Sequence, residues 1–169
     1  MFDPALLIKA ETLLASLRRR HLKLVTAESC TGGLIIGLLT EIAGSSEVVE
    51  RGFVVYSNEA KLSLLDVPQD VIETHGAVSE VTARAMAEGA LKNSHADIAV
   101  SVTGIAGPGG GSPGKPVGLV HFGYASHHAP TAHSRFVFAN ADRHEVRMKS
   151  VSAALDLIEH QLGTAMRLA

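Results

Sequence analysis

The 169-residue chain has one cysteine and no tryptophan, and aromatic residues make up only 4% of it. A lone cysteine cannot close an internal disulfide, which suits a reducing compartment. So few aromatic faces argue against a stacking platform for single-stranded nucleic acid. An excess of charge is also missing. The net charge of −2 provides no basic field of the kind phosphate backbones require. No uninterrupted apolar run reaches membrane-spanning length. Asp3 and Pro4 precede any basic residue, unlike a secretory signal. The expectation is a soluble cytoplasmic protein with neither a nucleic-acid nor a membrane partner. What is present is a 46% hydrophobic, 19% charged composition, too apolar for disorder and long enough for one well-cored domain over 1–169.

Asp3-Pro4 reads as an N-cap and first helical residue. The first helix closes on Arg18, Arg19 and Arg20, where cations suit the dipole. A strand over about Lys23 to Ala27 and a helix over about Thr31 to Ile42 follow. Phe53 to Tyr56 reads as a second strand. Asn58 is the expected cap of a short helix to Leu65, and Val67 to His75 reads as a turn or irregular helix. Ser79 opens a helix with apolar positions Val81, Ala85, Met86, Ala90 and Leu91. Ile98 to Val102 is a buried-type strand. Val117 to Tyr124 and His133 to Phe138 alternate as two further strands. Asp142 and Glu145 have capping-box spacing at the start of the last helix. Early alternation of helix and strand, then two adjacent strands, predicts an α/β fold: a three-layer α/β/α sandwich with a mixed, mostly parallel sheet.

The chain is organised around Leu24 to Gly33, LVTAESCTGG, where a strand runs into glycines and then at once into a helix. Such a turn sits at the carboxyl edge of a sheet, with helical N–H groups and the positive dipole end beside it. A nucleophile there has donors available for an oxyanion. Ser29 and Cys30 both qualify, and thiols are the stronger nucleophiles at neutral pH.

Other motifs divide into those that fail and those that stay open. Gly109 to Lys115 has P-loop spacing, but Pro116 stands where Ser or Thr should, and a strand pattern follows instead of a helix. A glycine-rich loop over a pocket is the reading that remains. Nine histidines are scattered without HExxH or paired CxxC spacing, so no catalytic metal is expected. Tyr56, ending a strand, and Lys61, early in a helix, can face the same sheet edge as Ser29. On spacing alone, a solvated lysine and a core tyrosine explain the pattern first. A lysine acting as base must be neutral, its pKa lowered by roughly 3 units through burial or positive potential. Arg143 and Arg147 lie four apart near a helix start. Either an anionic ligand or local pairing with Asp142 and Glu145 explains them.

Five segments together resemble the CinA C-terminal domain family: Ala27 to Gly33, Val55 to Lys61, Gly76 to Ser79, Thr103 to Gly110, and Lys115 to Gly118. The resemblance runs from the first helix to the last and is closest to the stand-alone form. It implies an α/β/α domain and a nicotinamide-nucleotide amidase that recycles pyridine nucleotides, turning nicotinamide mononucleotide and water into nicotinate mononucleotide and ammonia. It also implies Ser29 as nucleophile, with Lys61 and Tyr56 completing the site. Backbone N–H groups at Cys30, Thr31, Gly32 and Gly33 would then serve as oxyanion donors. Thr103, Gly104, Arg143 and Arg147 become the candidate substrate-binding residues, as donors to its 5′-phosphate. A small nucleotide is the expected ligand, and a homo-oligomer, in the first instance a dimer, the expected assembly. The competing reading is a non-catalytic nucleotide-binding or regulatory module of the same family.

Overall fold

The computed structural model describes residues 2–165. In chain order these form α1 (Pro4–Arg20), β1 (Leu24–Glu28), α2 (Leu34–Glu41), β2 (Val49–Val54), α3 (Asn58–Leu65), α4 (Gln69–His75), α5 (Glu80–Lys92), β3 (Ile98–Gly104), β4 (Leu119–Ser126), β5 (Ala129–Val137) and α6 (Arg143–Ala165), with a 3-10 turn over Ser45–Glu47. The sheet order is β2-β1-β3-β4-β5. β1 pairs in parallel with both β2 and β3, whereas the β3–β4 and β4–β5 pairings are antiparallel. Helical crossovers link the parallel strands, while a tight turn joins β4 to β5, as each geometry demands.

Strand alternation divides the interior in two. Leu24, Val100, Val102, Val120 and Phe122 face α1, α2 and α6. Val25, Ala27, Ala99 and Ala125 face the layer of α3, α4 and α5. The second face is lined with small residues, so α5 lies close to the sheet. Ser101 Oγ donates to Ala83 O at 2.5 Å and accepts from Gly123 N at 3.1 Å. The result is the expected three-layer sandwich on a mixed sheet.

Helix starts follow their caps. Asp3 Oδ1 accepts from Ala5 N at 2.7 Å. At α6, Asp142 and Glu145 form the reciprocal box, each bond 2.8 Å. Ser79 Oγ accepts from Thr82 N at the start of α5. At α3 the cap is Ser57, not Asn58, with Ser57 Oγ accepting from Ala60 N at 3.0 Å.

Several boundaries differ from the sequence expectation. β2 lies earlier than Phe53 to Tyr56, because an edge strand half open to solvent carries no continuous apolar signal. α2 begins at Leu34, not Thr31, since Gly32 and Gly33 adopt positive φ and delay the helix. Gln69–His75 is a regular helix following Pro68. β4 and β5 both extend to a turn at His127-His128, shorter than expected. On α5, Val81 faces solvent, while Met86 is core as expected.

Gly89 of α5 packs against the Leu65 carbonyl at the end of α3, where an added Cβ would collide with backbone. Gly→Ala inside a helix ordinarily gains up to about 1 kcal/mol. Here the sign reverses: Gly89→Ala should lower unfolding stability by roughly 1–3 kcal/mol in a urea titration. A gain would show that the two helices do not pack this closely.

Candidate active site

The turn after β1 is held by Glu28, a fully buried residue that sequence reasoning passes over. Its carboxylate accepts from Gly33 N at 3.1 Å, Ile35 N at 3.0 Å and Ile36 N at 2.8 Å. Thr26 Oγ1 adds a fourth bond at 3.3 Å. The last side chain of β1 therefore caps α2, and the N–H groups at the helix start already have a partner. The signal for it in the sequence is an acid closing an otherwise apolar strand shortly before a glycine pair.

With that cap in place, Ser29 is fixed from both sides. Its N–H donates to Val102 O of β3 at 2.9 Å, and its carbonyl accepts from Gly32 N at 3.1 Å. Of the four expected oxyanion donors, Gly32 and Gly33 thus bond within the turn. Arg147 of α6 holds the peptides that follow Cys30 and Thr31, donating from Nε to Cys30 O at 3.2 Å and from a terminal nitrogen to Thr31 O at 2.9 Å. Because a trans peptide points its C=O and N–H in opposite directions, fixing the Cys30 carbonyl also aims the Thr31 N–H.

Lys61 is only 1% exposed. Its Nζ lies 3.1 Å from Ser29 Oγ. It also lies within reach of three carbonyls: Val55 O at 2.9 Å, Tyr56 O at 3.2 Å and Ser57 O at 3.3 Å. Burial holds the amine below its ordinary pKa of 10.5, with Cys30 and Glu59 opposing in smaller measure. A neutral amine here donates two N–H bonds to carbonyls and keeps a lone pair for the serine proton.

Tyr56 reverses the plain sequence reading. Its side chain is 64% exposed, and its carbonyl, not its phenol, is what meets Lys61. Tyr56 is one of the residues lining a cavity of about 260 Å³, with Ser29, Cys30, Lys61, Val78, Gly104 and Arg143 among the others. Thr103 also lines it, with Oγ1 donating to Ala77 O at 2.7 Å. Gly104 approaches the Leu119 backbone too closely for any Cβ. Arg143 enters the cavity from the start of α6, one terminal nitrogen tethered to Gly107 O at 2.8 Å. The two arginines thus occupy different positions: Arg143 faces the cavity and Arg147 braces the turn beneath it.

Cys30 is buried, and burial first, then the charge of Glu28, pushes its thiol up to about 12. It is therefore not a thiolate at neutral pH, whatever its place beside a helix start. Lys115 of the rejected P-loop spacing donates to His75 O at 2.8 Å, and β4 follows it in place of a helix. Among the described residues, no three His, Cys, Asp or Glu side chains converge as a metal site, and no helix is long and apolar enough to cross a membrane. A larger groove of about 510 Å³, between α5 and the α3–α4 segment, holds no comparable pairing of nucleophile and base.

Comparison with known proteins bears on this arrangement. The family model described as the CinA C-terminal domain matches residues 8–162. A putative competence-damage inducible protein of Caldicellulosiruptor bescii is 52% identical over 153 residues, 90% of this chain but 36% of that protein. The chain thus spans about a third of that relative's length. The nicotinamide-nucleotide amidohydrolase PncC of Escherichia coli K12 is 45% identical over 161 residues, 95% of this chain and 97% of its own. The crystal structure of the competence/damage inducible protein CihA from Agrobacterium tumefaciens superposes with a TM-score of 0.92 at 47% identity, covering 96% of this chain and 98% of that one.

Two measurements test the site's construction. Glu28→Gln sets an amide NH2 among N–H donors and should cost roughly 2–3 kcal/mol in chemical denaturation. An unchanged midpoint would remove the carboxylate cap. The Cys30 thiol, at about 12 against 9.0 for a free thiol, has roughly a thousandfold less thiolate at pH 8 than in the unfolded chain. Alkylation of native protein should be slower by at least that factor. The same raised pKa makes Cys30 stabilising below pH 9, an effect lost as pH climbs toward 12.

Proposed function

The chain belongs to the CinA C-terminal domain family, and from that premise we propose that it is a nicotinamide-nucleotide amidase, hydrolysing nicotinamide mononucleotide to nicotinate mononucleotide and ammonia in pyridine nucleotide recycling. Full-length similarity to an enzyme named for that reaction supports the substrate. The 3.1 Å approach of a buried lysine amine to Ser29 Oγ is the observation that carries the mechanism.

In this reading Ser29 Oγ attacks the carboxamide carbon while the neutral Lys61 amine takes its proton. The oxygen that becomes negative is met by backbone N–H groups of the turn, with Cys30 the one that lines the cavity beside Ser29. Collapse of the tetrahedral intermediate expels nitrogen, protonated by Lys61, as ammonia. The acyl-enzyme is then opened by water, with Lys61 again receiving a proton, and the acid product leaves. Tyr56, in the cavity lining, closes over the substrate and assists proton transfer. Thr103, Gly104 and Arg143 contact the substrate. The reaction consumes only water, so the chain needs no cofactor. The raised thiol pKa disfavours Cys30 as the nucleophile.

Ammonia release from nicotinamide mononucleotide is the direct test. Ser29→Ala and Lys61→Met should each reduce kcat by at least about a thousandfold, and Cys30→Ala should leave the serine chemistry in place. Full activity in Ser29→Ala would end the proposal. Nucleotide binding without ammonia release would establish the regulatory module instead. Because the base must be unprotonated, kcat/KM should rise with pH to a plateau whose midpoint lies below 10.5.

A further inference from the structure

A second cavity opens on the same sheet edge. It measures about 470 Å³, and Val78 lines both it and the Ser29 cavity. Lys115, His121 and Arg135 are among its walls. Sheet register explains the adjacency. Thr103 of β3 pairs with His121 of β4, and His121 with Arg135 of β5, so the three side chains share one face in a row. Neighbouring strands are about 4.8 Å apart, which sets Arg135 about 10 Å from the β3 end of the row. That row begins at a residue lining the Ser29 cavity and ends at a cation.

The chemistry of the second cavity favours an anion. The Arg135 guanidinium has no hydrogen-bond or ion-pair partner among the described residues. Lys115 commits one donor to His75 O and has two more. The one carboxylate in the lining, Glu80, is already bonded to Arg84 at 2.8 Å and lies 3.4 Å from His133 Nδ1. His121 is held in the floor by Nδ1, 2.9 Å from His133 Nε2. Size points the same way. About 260 Å³ around Ser29 falls below the roughly 300–1,000 Å³ usual for a small-molecule site. A carboxamide-bearing ring fits there, but a complete nucleotide must extend beyond it. A ribose and its 5′ methylene separate base from phosphate by a distance of the same order as the row from β3 to β5.

We propose that this second cavity is the enzyme's anion subsite, in which Lys115 and Arg135 receive the phosphate of the nucleotide whose carboxamide enters the Ser29–Lys61 cavity. The assignment rests on the amidase reading. It separates two roles: Arg143, beside Ser29, serves the part of the substrate common to nucleoside and nucleotide, whereas Arg135 and Lys115 serve the phosphate alone.

The test compares nicotinamide mononucleotide with nicotinamide riboside, measuring ammonia release by the wild-type chain and by R135Q, K115Q and R143Q. The wild type should prefer the mononucleotide. R135Q and K115Q should each raise its KM roughly tenfold or more, with kcat and the riboside kinetics little changed. R143Q should impair both substrates. The proposal falls if the wild type treats both compounds alike. It also falls if R135Q and K115Q leave the mononucleotide KM untouched, or raise both KM values equally. If the wild type releases ammonia from neither compound, the amidase reading is what has failed. Calorimetric binding then decides the subsite: tighter binding of the mononucleotide that R135Q abolishes supports it, and any other pattern overturns it.

Discussion

The bond between the Glu28 carboxylate and the first N–H groups of α2 is the constraint on which the rest of this site depends. A buried acid is costly unless its acceptors are filled. Three backbone donors and a hydroxyl fill them here. In satisfying itself, Glu28 ties the last residue of β1 to a helix that starts a few residues later. The turn between them has little freedom left, and Ser29 and Cys30 are in that turn. Of the N–H groups expected to face a substrate oxyanion, Gly33 is bound to Glu28 and Gly32 to the Ser29 carbonyl. The anion at this helix start belongs to the protein.

Lys61 shows the opposite balance. A lysine with three carbonyls and a hydroxyl around it is well placed to remain charged, yet burial lowers its proton affinity. The two influences oppose each other, and the net effect is a pKa below that of a solvated lysine. Cys30 meets the same burial with the opposite consequence. Desolvation penalises whichever form is charged, so the amine gives up its proton more readily and the thiol keeps its own. One buried setting therefore favours the uncharged form of both groups, the free amine of Lys61 and the thiol of Cys30.

Much of this architecture is legible in the amino-acid sequence. The apolar alternation of β1 and β3, the capping box at α6 and the order of helices and strands are enough for the layers. They also bring Ser29, Lys61 and Arg143 toward one sheet edge. What escapes is whatever lacks periodicity. β2 and β5 are edge strands, exposed along much of their length, so their residues carry no burial signal and their limits shift. Tyr56 and Lys61 exchange burial, because the helix after Ser57 turns the lysine inward and leaves the phenol outside. Arg147 looks like a twin of Arg143 at a spacing of four. Only the packing of α6 against the turn distinguishes a brace from a cavity wall. Glu28 is hidden by a convention: an acid at a strand end is usually taken as solvated.

The topology explains why these pieces meet at one edge. β1 is central among the parallel strands, with β2 on one flank and β3 on the other. α2 crosses to β2 on one face of the sheet, while α3, α4 and α5 return to β3 on the other. The chain thus parts around the carboxyl end of β1, which is where a doubly wound sheet leaves a crevice. Antiparallel β4 then begins at the edge where β3 ends, and β5 finishes there in turn. An all-parallel continuation would have required further helical crossovers between these strands. The hairpin instead brings Leu119, His121 and Arg135 to the same rim as Thr103 and Gly104. A mixed sheet therefore sets a second hollow beside the Ser29 cavity along one sheet edge.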